Sequence, residues 1–151
     1  MVQEPKRSRL PADRRGVTRR FKIGNLKGYF TVNEVILAGK PAPVEIFMYL
    51  AKSGGALHAF MDAVAQLASM CLQYGVPLEI LCEKFIGWRF EPCGYVEATP
   101  DIKYAYSVLD YIFRWLAIRY LGKPWLKTFD RIEHARLAMR PPDDDDDDAE
   151  A

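Results

Sequence analysis

The sequence predicts an α+β fold, in which a small antiparallel sheet of about three strands packs against three to four α-helices. Residues of high β-propensity are concentrated before residue 51, whereas apolar residues follow helical spacing from residue 57 onward. The 151 residues are 50% hydrophobic and 27% charged, which is typical of one globular domain. Because the strands precede the helices instead of alternating with them, the sheet is expected to be antiparallel.

Two strands are predicted near the N-terminus, over residues 17–23 and 28–32, with a tight turn at Gly24 between them. Residues 33–43 contain a glycine and two prolines and are expected to form a loop. Residues 44–50 are apolar on both faces after the second position. This pattern predicts a third strand, in the centre of the sheet and covered by helices.

The first two predicted helices follow this strand. Apolar residues at helical spacing over residues 57–72 predict a long helix, with Ser53 as its N-terminal cap. Gly75 is expected to end that helix, and Pro77 to open the second one. The apolar face of the second helix ends before Gly87.

A third helix is predicted to begin at Thr99, where a capping residue is followed by a proline and an acid. Its apolar stripe continues as far as Tyr120, and Asp110 lies off that stripe. Gly122 and the proline that follows it stop the helix. A last helix is expected over residues 125–139.

Opposite charges near the two ends define the expected domain organisation. We expect a basic extended arm over residues 1–16, a folded domain over 17–124, a C-terminal helix over 125–140 and an acidic disordered tail over 141–151. Residues 1–22 carry a net charge of +6 and the last nine residues −7, in a chain whose net charge is +1. A basic arm favours an anionic partner such as nucleic acid or a nucleotide, and equally a solvated segment that aids solubility.

Cysteine usage and hydropathy exclude several classes of protein. Three cysteines without a CxxC pair disfavour a disulfide framework and a four-ligand zinc site, and they fit a reducing compartment. Cys71 and Cys82 fall on apolar helix faces, which leaves Cys93 as the exposed thiol. No uninterrupted apolar run is long enough to cross a membrane. We therefore expect a cytoplasmic protein that binds neither a metal nor a cofactor by itself.

Two groups of residues are candidates for binding. Free amides at the start of the first helix, beside a lysine, can hold a phosphate, although the glycine pair is also consistent with an ordinary loop. The predicted anion contacts are Lys52, Gly54, Gly55, Arg14 and Arg15. The second group is a polar cluster, which is either an internal network or a partner contact. Its predicted members are Arg89, Glu91, Ser107 and Asp110, of which the last two lie one helical turn apart.

Several gapped motifs resemble a known family when they are taken in order. They are residues 10–16 (LPADRRG), 45–47 (EIF), 72–79 (LQYGVPLE), 89–94 (RFEPCG), 107–117 (SVLDYIFRWLA) and 120–122 (YLG). Together they resemble the TSCPD domain, the C-terminal domain of adenosylcobalamin-dependent (class II) ribonucleotide reductases. Ser107 and Asp110 match the name-giving motif, in which Tyr106 replaces the threonine.

The resemblance implies a role in deoxyribonucleotide synthesis. About 115 folded residues cannot build the barrel that such an enzyme needs, so we expect an accessory, non-catalytic domain or subunit. Its expected partner is the large catalytic subunit of a class II reductase, which would hold the adenosylcobalamin. A free-standing module that binds nucleic acid or a nucleotide through the basic arm is the alternative, and a homo-oligomer stays open.

Overall fold

The structure is a computed structural model that describes residues 3–51 and 55–140. Its first sheet is antiparallel and has the strand order β1-β2-β3. These strands are β1 (Arg15–Ile23), β2 (Leu26–Leu37) and β3 (Lys40–Ala51). The described helices are α1 (Gly55–Gln73), α2 (Leu78–Phe85), α3 (Val108–Leu116) and α4 (Lys123–Ala138). A second, unpredicted sheet pairs β4 (Gly94–Tyr95) with β5 (Tyr104–Ala105). The predicted α+β class is confirmed.

β3 lies at the edge of the sheet and β2 in its centre, so the prediction of a central β3 is wrong. The inward side chains of Val44, Ile46 and Leu50 are buried. On the outer face, Phe47 is 54% exposed and Tyr49 is 47% exposed. The apolar outer residues suggested a helical cover that the described part of the chain does not place there.

Helix α1 covers the free edge of β3 with polar side chains. The bonds join Ser69 Oγ to Ile46 N (2.8 Å), Gln73 Nε2 to Val44 O (3.0 Å) and His58 Nδ1 to Leu50 N (3.4 Å). An uncovered edge would expose these backbone groups to pairing with another chain. The contacts therefore explain why these three polar residues lie on the side of α1 that faces the sheet.

The loop predicted for residues 33–43 is also wrong, because most of these residues belong to β2 and β3. The strands are joined by a tight turn at Ala38 and Gly39, whose φ angles are +49° and +78°. The two prolines of this segment are tolerated because β3 is an edge strand, where a missing backbone donor is least costly. A shift of register next to Asn33 accommodates the remaining irregularity.

Helix α3 is the centre of the core, because one side packs on the sheet and the other on α2. Tyr111 contacts the rings of Phe21 and Phe30 at centroid distances of 5.2 Å and 6.2 Å. On the opposite side, the rings of Phe113 and Phe85 are 5.1 Å apart. Burial on both sides explains why almost every residue of α3 is inaccessible to solvent.

The predicted start of the third helix at Thr99 is wrong, because α3 begins after Ser107. Thr99 Oγ1 does not cap a helix. It accepts a hydrogen bond from Arg19 (2.9 Å) and lies 3.0 Å from the hydroxyl of Tyr111. The capping chemistry at Thr99 is thus used to join distant segments of the chain. The helices predicted from residue 57 and from Pro77 are confirmed as α1 and α2.

A π-helical turn over Ala117–Leu121 connects α3 to α4. The Tyr120 hydroxyl donates a hydrogen bond to Glu34 (2.6 Å), and Arg119 lies 3.5 Å from the same carboxylate. Burial and this hydrogen bond raise the pKa of Tyr120. These contacts fix the turn to Glu34 on β2.

Ala38 has a left-handed backbone conformation, which favours asparagine or glycine over alanine. The substitution Ala38→Asn should therefore raise the free energy of unfolding by about 0.5–1 kcal/mol. Ala38→Val should lower it, because a β-branched residue fits this conformation worst. Urea denaturation of the three proteins tests the turn, and equal stability of the two variants would contradict it.

Candidate functional site

Ser107 and Asp110, which match the name-giving motif of the TSCPD domain, lie at the N-terminus of α3. The Asp110 backbone amide donates to Ser107 Oγ (3.0 Å), and the Ser107 hydroxyl donates to the carbonyl of Trp88 (2.6 Å). Ser107 is thus both the helix cap and a link to the loop that follows α2. The predicted association of Ser107 with Asp110 follows from this spacing of three residues.

The Asp110 carboxylate is completely buried and fully engaged. Oδ1 accepts hydrogen bonds from the Gly87 amide (2.7 Å) and from Arg114 Nε (2.9 Å), and Oδ2 accepts one from the Tyr106 amide (3.1 Å). The prediction that Asp110 lies off the buried stripe is therefore wrong. Its charge is stabilised inside the domain by two backbone donors and a guanidinium.

Arg114 extends the network to the last helix. Its Nη1 atom lies 3.0 Å and 2.9 Å from the two carboxylate oxygens of Asp130 on α4. Burial lowers the pKa of Arg114, but the two carboxylates outweigh it and the net shift is upward. We call Ser107, Asp110, Arg114 and Asp130 the aspartate network, and it joins the α2 loop, α3 and α4.

Arg89 and Glu91, the other predicted members of the cluster, do not join this network. The Arg89 guanidinium lies 4.2 Å from the centre of the Tyr106 ring, which is a cation–π contact at the surface. Glu91 is exposed. The contacts of Asp110 are made instead by Gly87 and Arg114, and Arg114 also binds Asp130. The separation of four residues between Asp110 and Arg114 is a sequence signal for that pair, whereas nothing local indicates the other two.

The predicted anion contacts are not assembled by the described residues. Arg14 forms an ion pair with Glu45 (3.2 Å), and Arg15 is exposed at the start of β1. Arg15 is level with Pro43 across the sheet, whereas Gly55 comes after Ala51, which lies about 26 Å further along β3. Lys52 and Gly54 lie outside the described residues, as do the predicted cap Ser53 and the acidic tail.

The basic arm contacts the domain at the end of α1. Arg7 Nε donates to the Gln73 side chain (2.5 Å), and the Ser8 amide donates to the Gln73 carbonyl (2.9 Å). Residues 3–14 form neither a helix nor a strand. Two of the arm's arginines, Arg7 and Arg14, are thus engaged with the domain itself.

No cluster of three or more histidine, cysteine or acidic side chains suited to a metal ion occurs within residues 3–51 and 55–140. Cys93 is exposed, as predicted, and Cys82 is buried. Burial, with Glu79 and Glu83 nearby, raises the pKa of Cys82 to about 12. The Cys82 thiol therefore stays protonated and behaves as a small core residue.

Helix α1 presents an apolar stripe to solvent, on the side away from the core. The α1 stripe consists of Phe60, Ala63, Leu67 and Met70 on the helix and Tyr74 directly after its end, all of them exposed. Its residues recur at alternating intervals of three and four, which is the spacing of a helix that packs against another helix. By length and composition alone α1 could also cross a membrane, with a mean hydropathy of 1.2. The side of α1 that faces the sheet is hydrogen-bonded to the edge of β3 through three polar side chains.

The comparison with protein families agrees with the resemblance that the sequence motifs indicated. The model of the TSCPD domain matches residues 3–120. The chain therefore belongs to the TSCPD domain family. No solved structure matches it.

The similar curated proteins are vitamin B12-dependent ribonucleotide reductases. Those of Streptantibioticus cattleyicolor and Rhodopirellula baltica are 44% and 40% identical over 117 and 122 residues. The alignments cover 78% and 81% of this chain, but 19% and 11% of the relatives. The Agrobacterium fabrum protein is 40% identical over 133 residues, which are 88% of this chain and 10% of the relative. The chain thus spans between a tenth and a fifth of these enzymes.

The aspartate network predicts a large stability loss for Asp110→Asn. Both carboxylate oxygens accept backbone hydrogen bonds, so either orientation of an amide points its NH₂ group at another donor. We expect the free energy of unfolding to fall by about 3–5 kcal/mol in urea denaturation. Asp130→Asn is the control, since the Asp130 side chain is 40% exposed, and it should cost at most about 1 kcal/mol. Equal losses would contradict the assigned burial.

Thiol labelling tests the environments of the cysteines. At about pH 8, Ellman's reagent should modify Cys93 rapidly and Cys82 only when the domain unfolds. Cys93→Ser should remove the fast phase, whereas Cys82→Ala should leave it unchanged. Rapid loss of the Cys82 thiol in the folded protein would show that it is not buried as described.

Proposed function

We propose that this chain is an accessory, non-catalytic part of a vitamin B12-dependent ribonucleotide reductase and supports deoxyribonucleotide synthesis in the cytoplasm. The observation that carries the proposal is the match of one TSCPD domain to a small part of such enzymes. On this view the chain docks on the large catalytic subunit, which performs the chemistry on ribonucleoside diphosphates.

The arrangement of the described polar residues supports a structural role. The hydrogen-bonding capacity of the Asp110 carboxylate is used within the fold, and Arg114 is held between two acids. A catalytic acid or base must instead reach a substrate. The aspartate network is therefore suited to fixing the shape of a docking domain.

Adenosylcobalamin does not fit the described residues. A corrin ring with a nucleotide tail needs an enclosing site, whereas the clefts beside α4 and beside the sheet are open and measure about 380 Å³ and 680 Å³. Of the two histidines, His58 is bonded to β3 and His134 is exposed on α4. The proposal therefore assigns the cofactor to the catalytic subunit.

The α1 stripe is the surface that fits a docking role. Phe60 is 70% exposed and Leu67 is 59% exposed, so together they present an apolar ridge. The relatives carry the same domain within a much longer chain, in which such a ridge can pack against a helix of the catalytic body. Trp115 does not contribute to this ridge, because its ring packs inside the domain against that of Phe30, with the centroids 4.9 Å apart.

The docking proposal predicts a specific effect of Leu67→Glu. A charge in the centre of the α1 stripe should weaken binding to the large catalytic chain of a class II reductase by at least about tenfold, because it would be desolvated in the interface. Calorimetric titration of purified chains measures the affinity.

Ile132→Glu is the matched control, because Ile132 is equally exposed, at 57%, but lies on α4. It should leave the affinity unchanged. The proposal is wrong if the unaltered chain neither binds the catalytic chain nor changes its rate of ribonucleotide reduction. Equal weakening by both variants would exclude α1 as the docking surface.

A further inference from the structure

The outer face of the three-stranded sheet is open to solvent in the described structure. Residues that pair across the strands share this face and form rows. One row contains Arg20, Tyr29 and Tyr49, and the neighbouring rows contain Lys22 with Lys27 and Thr31 with Phe47. We call these seven residues the sheet platform.

Aromatic rings dominate the centre of the sheet platform. The rings of Tyr29 and Tyr49 are stacked, with centroids 5.1 Å apart and an angle of 24° between their planes. These side chains are 45% and 47% exposed, and Phe47 beside them is 54% exposed. The platform therefore offers flat aromatic surfaces that the domain does not use in its own core.

Cations lie along one end of the same face. Arg20 and Lys27 make no ion pair among the described residues, whereas Lys22 is 3.4 Å from Glu97. All three line a cleft of about 680 Å³ together with the two tyrosines and Glu97. The cleft thus has an excess of positive charge beside stacked rings, and its single acid is already paired.

We propose that the sheet platform binds single-stranded nucleic acid. Unpaired bases would stack on Tyr29 and Tyr49, while the phosphates would lie against Arg20 and Lys27. A duplex hides the base faces that the tyrosines require, so unpaired bases are the ones that can stack here. This site is separate from the α1 stripe and does not depend on the docking proposed above.

The test is fluorescence anisotropy with a labelled oligothymidylate of about 15 nucleotides, in about 50 mM salt. The whole chain should bind it, and the affinity should fall steeply as the salt rises to about 200 mM. Tyr29→Leu and Tyr49→Leu should each weaken binding about 5- to 100-fold, because each removes a stacking surface. Arg20→Gln with Lys27→Gln should weaken binding and reduce its salt dependence.

One control separates the platform from general aromatic content. Tyr95→Leu changes a tyrosine that is 79% exposed and lies in β4, and it should leave the affinity unchanged. Circular dichroism should show every variant folded, since each altered side chain is exposed or half exposed. The paired charge variant keeps both rings and tests the platform even if a tyrosine variant loses its fold.

Three results would overturn the proposal. The first is the absence of binding at low salt. The second is equal affinity for a duplex of the same length. The third is binding that is lost in Lys6→Gln with Arg9→Gln but retained in both tyrosine variants, because it would place the contact on the basic arm instead.

Discussion

The buried carboxylate of Asp110 is the constraint on which the helical half of the domain depends. Desolvating a charge costs several kcal/mol unless donors surround it, and here the donors come from three separate places: the loop after α2, the residue next to β5, and Arg114 on the same helix. The buried carboxylate receives all of these hydrogen bonds only when the three segments are in position together. Arg114 then carries the constraint to α4 through Asp130. The network thus specifies one arrangement of helices around α3.

Local sequence patterns were sufficient to predict the helices α1 and α2. Both follow apolar periodicity and end at glycines with positive φ angles, Gly75 and Gly87. The start of α3 was wrong because Thr99, a good capping residue, bonds to Arg19 and Tyr111 across the fold. The position of β3 was wrong for a related reason. Apolar character on both faces is ambiguous between a covered strand and one whose outer face is exposed, and strand order is a tertiary property.

The contacts of the candidate site were also predictable only in part from the sequence. Ser107 and Asp110 could be paired from their spacing alone, since residues three apart lie on the same side of a helix. The helix was expected to begin earlier, so the role of Ser107 as its cap required the structure. Arg114 is one further turn along, but the contacts with Gly87 and Asp130 join residues far apart in sequence and required the structure. The two surfaces differ in whether the sequence reveals them. The α1 stripe has a regular spacing that is visible in the sequence, whereas the residues of the sheet platform are brought together only by the register of three strands. The domain therefore combines a fixed interior with two separate exposed faces.

In the proposed function, this chain modifies a reductase whose chemistry belongs to another subunit. The most direct measurement is ribonucleotide reduction by the catalytic chain with adenosylcobalamin, as this chain is titrated in. We expect no turnover by this chain alone and a change in the rate of the catalytic chain that saturates near equimolar addition. Turnover by this chain unaided, or stoichiometric binding of cobalamin to it, would show that the proposed function is wrong.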